Sequence, residues 1–199
     1  MQYNRDYYTN QANFIIESQK SKYRVQVIKQ PLKTKIQDVR IEDLSWILKL
    51  ETIIARICSD ADIKTQLMGL CDYLRYCNTD LLSEINQSAI KYITTELLNL
   101  EVNFHVSSEI PSLLKSQERI LEICKLKNSN IYVNGAGAKY INSDFFQQNQ
   151  IEVLQLNFSQ MDLGKILGMD PDVSIISIIA KCGTKYVKDK ISELVHVLD

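Results

Sequence analysis

Residues 130–157 read NIYVNGAGAKYINSDFFQQNQIEVLQLN. Asn130–Val133 is a short β-favouring run, and Ile151–Asn157 is a second one with Val153, Leu154 and Leu156 apolar. Between them lie a Gly-containing loop and a segment, Tyr140–Asn149, with helical character. A strand, a helix and a strand in one sheet imply parallel pairing through a right-handed crossover. Upstream the same alternation continues. Asn78 and Thr79 precede a stripe of Leu82, Ile85, Ala89, Ile93 and Leu97 at helical spacing, Glu101–Val106 reads as a strand, and Pro111-Ser112 opens a helix running to Lys125. Residues 79–158 therefore spell helix–strand three times over. The expected fold class is α/β: a parallel sheet with flanking helices in Rossmann-like layers.

Outward from that stretch the chain changes character. It opens on MQYNRDYYTNQ, polar and rich in Tyr. Two β-rich runs come next, Asn13–Glu17 and Tyr23–Ile28, joined by Ser-Gln-Lys-Ser-Lys and predicting a hairpin; Lys35–Ile41 predicts a third strand. Asp43 precedes a helix carrying Leu44, Ile47, Leu48, Ile54 and Ile57, with Trp46 as a packing anchor, and Asp60 or Asp62 caps another that runs through Tyr76. Helices over Val173–Lys181 and Lys185–Leu198 close the chain. One domain, 1–199, is expected, made of a β-rich N-terminal extension (1–42), a helical part (43–99) and an α/β part (100–199).

Composition narrows the class. In 199 residues the formal charge is −1, which gives no basic excess for nucleic acid. The basic stretch Lys20–Lys35 fits a solvated hairpin face better than an anion-binding surface. No apolar run approaches the length of a membrane span, and no leader precedes the polar start, so a cytoplasmic location is expected. Five Cys without C-x-x-C spacing read as reduced, mostly buried thiols, and two widely separated His residues give no metal set.

In parallel sheets ligands gather beyond the carboxyl ends of the strands. That rule selects Ser107-Ser108-Glu109, the loop Asn134–Tyr140, and the loop from Asn157. The second carries Gly135 and Gly137, which let backbone N–H groups approach an anion, and Lys139 adds charge. It lacks the third Gly and the following acid of a dinucleotide fingerprint, and a tight strand-to-helix turn is the simpler reading. His105 and Ser107 would share a strand face beside Glu109, the one polar cluster resembling a reactive set, although a structural His105 is the simpler reading. Ser116, Glu118 and Arg119 lie near a helix start, either as a cap and salt link or as polar groups beside the Ser107 loop. Cys182 precedes Gly183 at a helix end, where the dipole disfavours a thiolate, so packing is its expected role.

Four segments together resemble the WbqC-like family: Ser116-Gln-Glu-Arg-Ile-Leu-Glu-Ile-Cys124, Ile131-Tyr-Val-Asn-Gly-Ala-Gly-Ala-Lys-Tyr-Ile141, Phe145-Phe with Gln150-Ile-Glu-Val153, and Pro171-Asp-Val-Ser-Ile-Ile-Ser-Ile-Ile-Ala-Lys-Cys-Gly183. The opening Gln2-Tyr-Asn-Arg-Asp-Tyr-Tyr-Thr-Asn10 resembles the end of the family's D-D-V-Q segment and the aromatic, Asn-rich stretch behind it. On that resemblance a leading strand and its His-Gln-Pro loop are missing, one family Arg is displaced at Asn10-Gln-Ala-Asn13, and Ser177 stands where the family has Asp.

The resemblance implies a setting in bacterial surface-polysaccharide (O-antigen) synthesis and a transferase acting on a sugar nucleotide or another activated donor. The alternative is a non-catalytic binding or assembly protein, or an inactive relic; an open sheet edge would favour a homo-oligomer. The resemblance places Asn10, Asn13, Gly135, Gly137 and Tyr140 at the site. Ser107, Ser116, Glu118, Arg119 and Lys139 complete the candidate ligand-binding set. It assigns no catalytic residue and no cofactor; the expected partner is a nucleotide-sugar or other small molecule.

Overall fold

A computed structural model describes residues 9–31, 34–134, 141–155, 168–169 and 172–196, the side chains of 194–196 excepted. The chain divides into two units: Met1–Val102 with Leu163–Glu193, and Asn103–Asp162 with Leu194–Asp199.

The first unit begins with the expected hairpin, in a tighter register. Strand β1 (Gln11–Ile16) pairs antiparallel with β2 (Gln19–Arg24). Only Glu17 and Ser18 separate them, at φ 50° and 66°. Two left-handed central residues are what a two-residue hairpin turn needs to match the strand twist. The lysines read as a connector therefore sit in β2, whose first four residues are exposed, so the basic face is solvated. Phe14 points inward and is fully buried. The strand expected over Lys35–Ile41 is instead a 3-10 turn, Ile36–Asp38, flanked by isolated bridges from Ile41 to Val27 and from Arg40 to Leu81. Its apolar residues fall on mixed phases, so a continuous strand could not bury them on one face.

Three helices come next. The Asp43 carboxylate accepts from the Ser45 N–H at 2.7 Å and starts α1 (Ser45–Ile57). Asp60 accepts from the N–H groups of Asp62 and Ile63 and caps α2 (Ala61–Arg75). Helix α3 (Leu82–Tyr92) passes into a π-helical turn, Ile93–Leu97, so the long stripe there is carried by two kinds of turn. Helix α6 (Ile175–Cys182) is apolar on nearly every side, and Ile176 through Ala180 are all buried. A short helix of that kind belongs inside a core; it packs against β1, α1 and α2. Helix α7 (Thr184–His196) adds buried Val187.

The second unit is smaller. Helix α4 (Ser116–Leu126), strand β3 (Ile131–Asn134), helix α5 (Ser143–Gln147) and strand β4 (Glu152–Gln155) enclose Leu121, Cys124, Phe146 and Ile151. Strands β3 and β4 are parallel, as the strand–helix–strand reading requires. The larger expectation does not hold among the described residues. There are two two-stranded sheets, one antiparallel and one parallel, and no Rossmann layers. Glu101–Val106 forms no strand: its alternating Val102 and Phe104 stay about half exposed, and no strand among the described residues pairs with it. The α4 helix starts at Ser116 rather than Pro111, and α5 is shorter than expected. No described helix is long and apolar enough to cross a membrane.

All five cysteines are free thiols, with Cys58, Cys71 and Cys124 buried. Burial pushes the Cys71 thiol up to about 12, and the nearby Glu51 carboxylate adds to the shift. Burial also raises the Tyr23 phenol, whose hydroxyl donates to the Trp46 carbonyl. The unfolded chain would release the Cys71 proton near 9, before the folded chain does. Stability is thus complete below pH 9 and falls as pH rises toward 12. Urea unfolding followed by Trp46 emission should show its midpoint dropping across that window. Cys71→Ala should make the drop shallower.

Candidate functional site

The residues singled out in the sequence fall into two groups. Asn10 is buried; its Nδ2 donates to the Val25 carbonyl at 3.1 Å, while its Oδ1 has no described partner. Asn13 donates to the Asp172 carbonyl at 3.3 Å, and its own carbonyl accepts from the Ser174 N–H at 2.7 Å. Both belong to the hairpin. Asn13 ties it to the residues that begin α6, where Ser174 accepts from the Ile176 N–H.

The others lie in the smaller unit. Arg119 donates to the carbonyls of Ser107 (2.6 Å) and Ile110 (3.2 Å), so its guanidinium organises the loop before α4. Ser116 takes a φ of 52° at the helix start, and Glu118 is exposed in the first turn. His105 is exposed and off any strand, so no shared strand face aligns it with Ser107. Gly135, Gly137, Lys139 and Tyr140 lie outside the described residues. Asn134, just before them, is buried and donates to Gln155 Oε1 at 2.8 Å, joining the ends of β3 and β4.

A cleft of about 650 Å³ opens in the larger unit beside the hairpin turn. It is lined by Ile15, Glu17 and Ser18 at the hairpin turn, by Arg56, Ile57 and Ser59 at the end of α1, by Gly168 and Met169, and by Ser177, Ala180 and Lys181 of α6. The sequence places these groups through ordinary secondary structure. Arg56 sits in the last turn of α1 and Lys181 in the last turn of α6. Ser177 is the one polar residue in the apolar run of α6. It is 3% exposed, and its hydroxyl oxygen accepts from the Ile15 N–H at 3.3 Å. That bond uses the oxygen as acceptor and leaves the hydroxyl proton uncommitted among the described residues.

The electrostatics favour an anion. Arg56 and Lys181 bring two positive charges against the single carboxylate of Glu17, and among the described residues neither cation has an ion-pair partner. A guanidinium matches phosphate or carboxylate oxygens in a two-pronged geometry, and an ammonium acts on them as a point charge. The serines supply neutral donors. The lining can therefore bind and orient an oxyanion and balance charge that develops on it. Among the described residues no cluster of His, Cys, Asp and Glu could hold a metal ion.

Neither cation stood out in the sequence, because a basic residue in the last turn of a helix is the ordinary complement to the helix dipole. Their convergence depends on how α1 and α6 pack. The one usable signal was Ser177, a lone polar residue within Ile-Ile-Ser-Ile-Ile.

No curated protein and no solved structure matches the chain. The model of the WbqC-like protein family matches residues 1–189. That match starts at the first residue and lends no support to the expectation that a leading family segment is missing. It spans nearly all of both units, and the chain belongs to the WbqC-like protein family.

Proposed function

We propose that this protein is a transferase of bacterial surface-polysaccharide synthesis, and that the cleft between Arg56 and Lys181 receives the phosphates of a sugar nucleotide or similarly activated donor. One observation carries the reading: two cations without ion-pair partners among the described residues face a cleft of about 650 Å³, within the range of pockets that enclose small ligands. Serine hydroxyls beside the cations suit phosphate oxygens and add hydrogen bonds with little desolvation cost. The setting in surface-polysaccharide synthesis rests on family membership.

The test is a thermal-shift panel of UDP-, dTDP- and GDP-linked sugars on the full chain. A true donor at a hundred times its Kd adds about 2.7 kcal/mol, which for a chain of this size raises Tm by about 5–10 °C. A folded protein that shifts with none of them sinks the proposal. A second reading, a protein that binds the donor without turning it over, is favoured by the absence of a nucleophile–base pair among the described residues lining the cleft. Phosphorus NMR separates the two: a donor that shifts Tm yet stays intact beside candidate acceptors points to binding alone.

A further inference from the structure

A second cleft, of about 730 Å³, lies in the same unit at the other end of α1. Its floor is Ile41 and Leu74, both buried. Tyr76 rises from the end of α2 with 84% of its surface exposed. Glu42, Asp43 and Asn78 stand on the rim.

The unspent chemistry of this rim is specific. Both arginines nearby are engaged: Arg75 with Glu51 (2.5 Å) and Asp72 (2.8 Å), and Arg40 with Asp80 (2.5 Å). The Asp43 carboxylate is engaged by Ser45, through its N–H at 2.7 Å and through its side chain. The Glu42 carboxylate and the Asn78 amide have no hydrogen-bond partner among the described residues. The free groups are thus one carboxylate, one amide that both donates and accepts, and a bare aromatic face. Phosphates and acidic ligands are repelled. Addition of a peptide strand is blocked as well, because the backbone edges here are already bonded: Ile28 N–H to Arg40, Ile41 N–H to Asp80 and Glu42 N–H to Gln26.

We infer that this cleft is a saccharide-binding site for a neutral or amino pyranose. One face of a pyranose is a layer of C–H groups that lies flat on an aromatic ring, and its edge carries hydroxyls that donate to carboxylates and amides. Tyr76 provides the ring, and Glu42 and Asn78 provide the acceptors. Leu44 precedes α1 and Arg56 ends it, so the two clefts are about 18 Å apart along the helix at 1.5 Å per residue. A sugar on Tyr76 is therefore held away from the phosphate cleft. The site grips a glycan rather than the reacting group, and it stands whether or not the phosphate reading does.

The experiment is saturation-transfer NMR on the full chain with three probes at millimolar concentration: methyl glucopyranoside, methyl galactopyranoside and the methyl glycoside of N-acetylglucosamine. Transfer should be strongest to the ring C–H protons of one face for at least one probe. Tyr76→Ala should weaken the apparent affinity about tenfold, a stacked aromatic contact together with its buried area. Tyr76→Phe should preserve it, and Asn78→Ala should weaken it less. Because Tyr76 is exposed, these variants should keep the Trp46 emission of the parent. Added UDP should leave the transfer unchanged. Absence of transfer from all three probes overturns the inference, as does transfer that Tyr76→Ala leaves undiminished or that UDP displaces. A lysine-rich peptide that binds at Tyr76 where the sugars do not would also overturn it.

Discussion

Replacing Arg56 and Lys181 together with Gln is expected to weaken the binding of a phosphate-bearing donor by about 100-fold or more. A hydrogen bond to a charged group contributes about 1.5–3 kcal/mol, so losing one from each cation removes at least two factors of ten. Isothermal titration with UDP as the probe gives the number, and repeating it over a range of NaCl adds a second reading. Affinity in the parent should fall as salt rises, and the double variant should lose most of that dependence. Each cation also sits at a helix carboxyl end, where it offsets the dipole by about 0.3–1 kcal/mol. A small drop in Tm is therefore expected alongside the binding loss. Arg56→Lys keeps the charge but removes the two-pronged donor, so it should fall between parent and double variant. A double variant that binds UDP as the parent does would place the donor elsewhere.

The elements legible in the sequence were those whose signal is local. The parallel pairing of β3 with β4 followed from a strand–helix–strand order, and the α2 start followed from Asp60. Helix α6 announced itself as an apolar run, and the hairpin as two β-rich segments. The largest failure has a non-local cause. Glu101–Val106 has strand-like alternation, yet a strand exists only with a neighbour, and sequence order does not say which segments become neighbours. The expected Rossmann layers depended on that strand. The same limit hid the cleft: Ile15, Arg56 and Lys181 are far apart in the chain and meet only because β1, α1 and α6 pack together. Asn13, chosen on resemblance, fastens the start of α6 to the hairpin rather than lining the cleft, and so fixes where Ser177 and Lys181 stand.

Phe146→Ala is expected to cost about 3–5 kcal/mol, the loss associated with emptying a fully buried aromatic site. Phe146 has no exposed surface. It stacks on Tyr132 with centroids 5.5 Å apart and meets Phe145 edge-on at 5.7 Å. It thus joins α5 to β3 and completes a core of only four buried residues among those described. The other buried members, Leu121, Cys124 and Ile151, are all smaller than the side chain removed. A loss of that size is a large share of the stability a domain normally possesses. Hydrogen exchange resolves where the effect falls. The Glu152 N–H, bonded to the Asn130 carbonyl at 2.8 Å, and the ladder between β3 and β4 should lose protection. The α1 amides and Trp46 emission report on the larger unit in the same samples. If the ladder opens while those signals hold, the smaller unit unfolds by itself, as a separate cooperative body. If both fail at one urea concentration, the chain folds as a single domain. Phe146→Leu keeps most of the volume and should show the same pattern at a fraction of the cost.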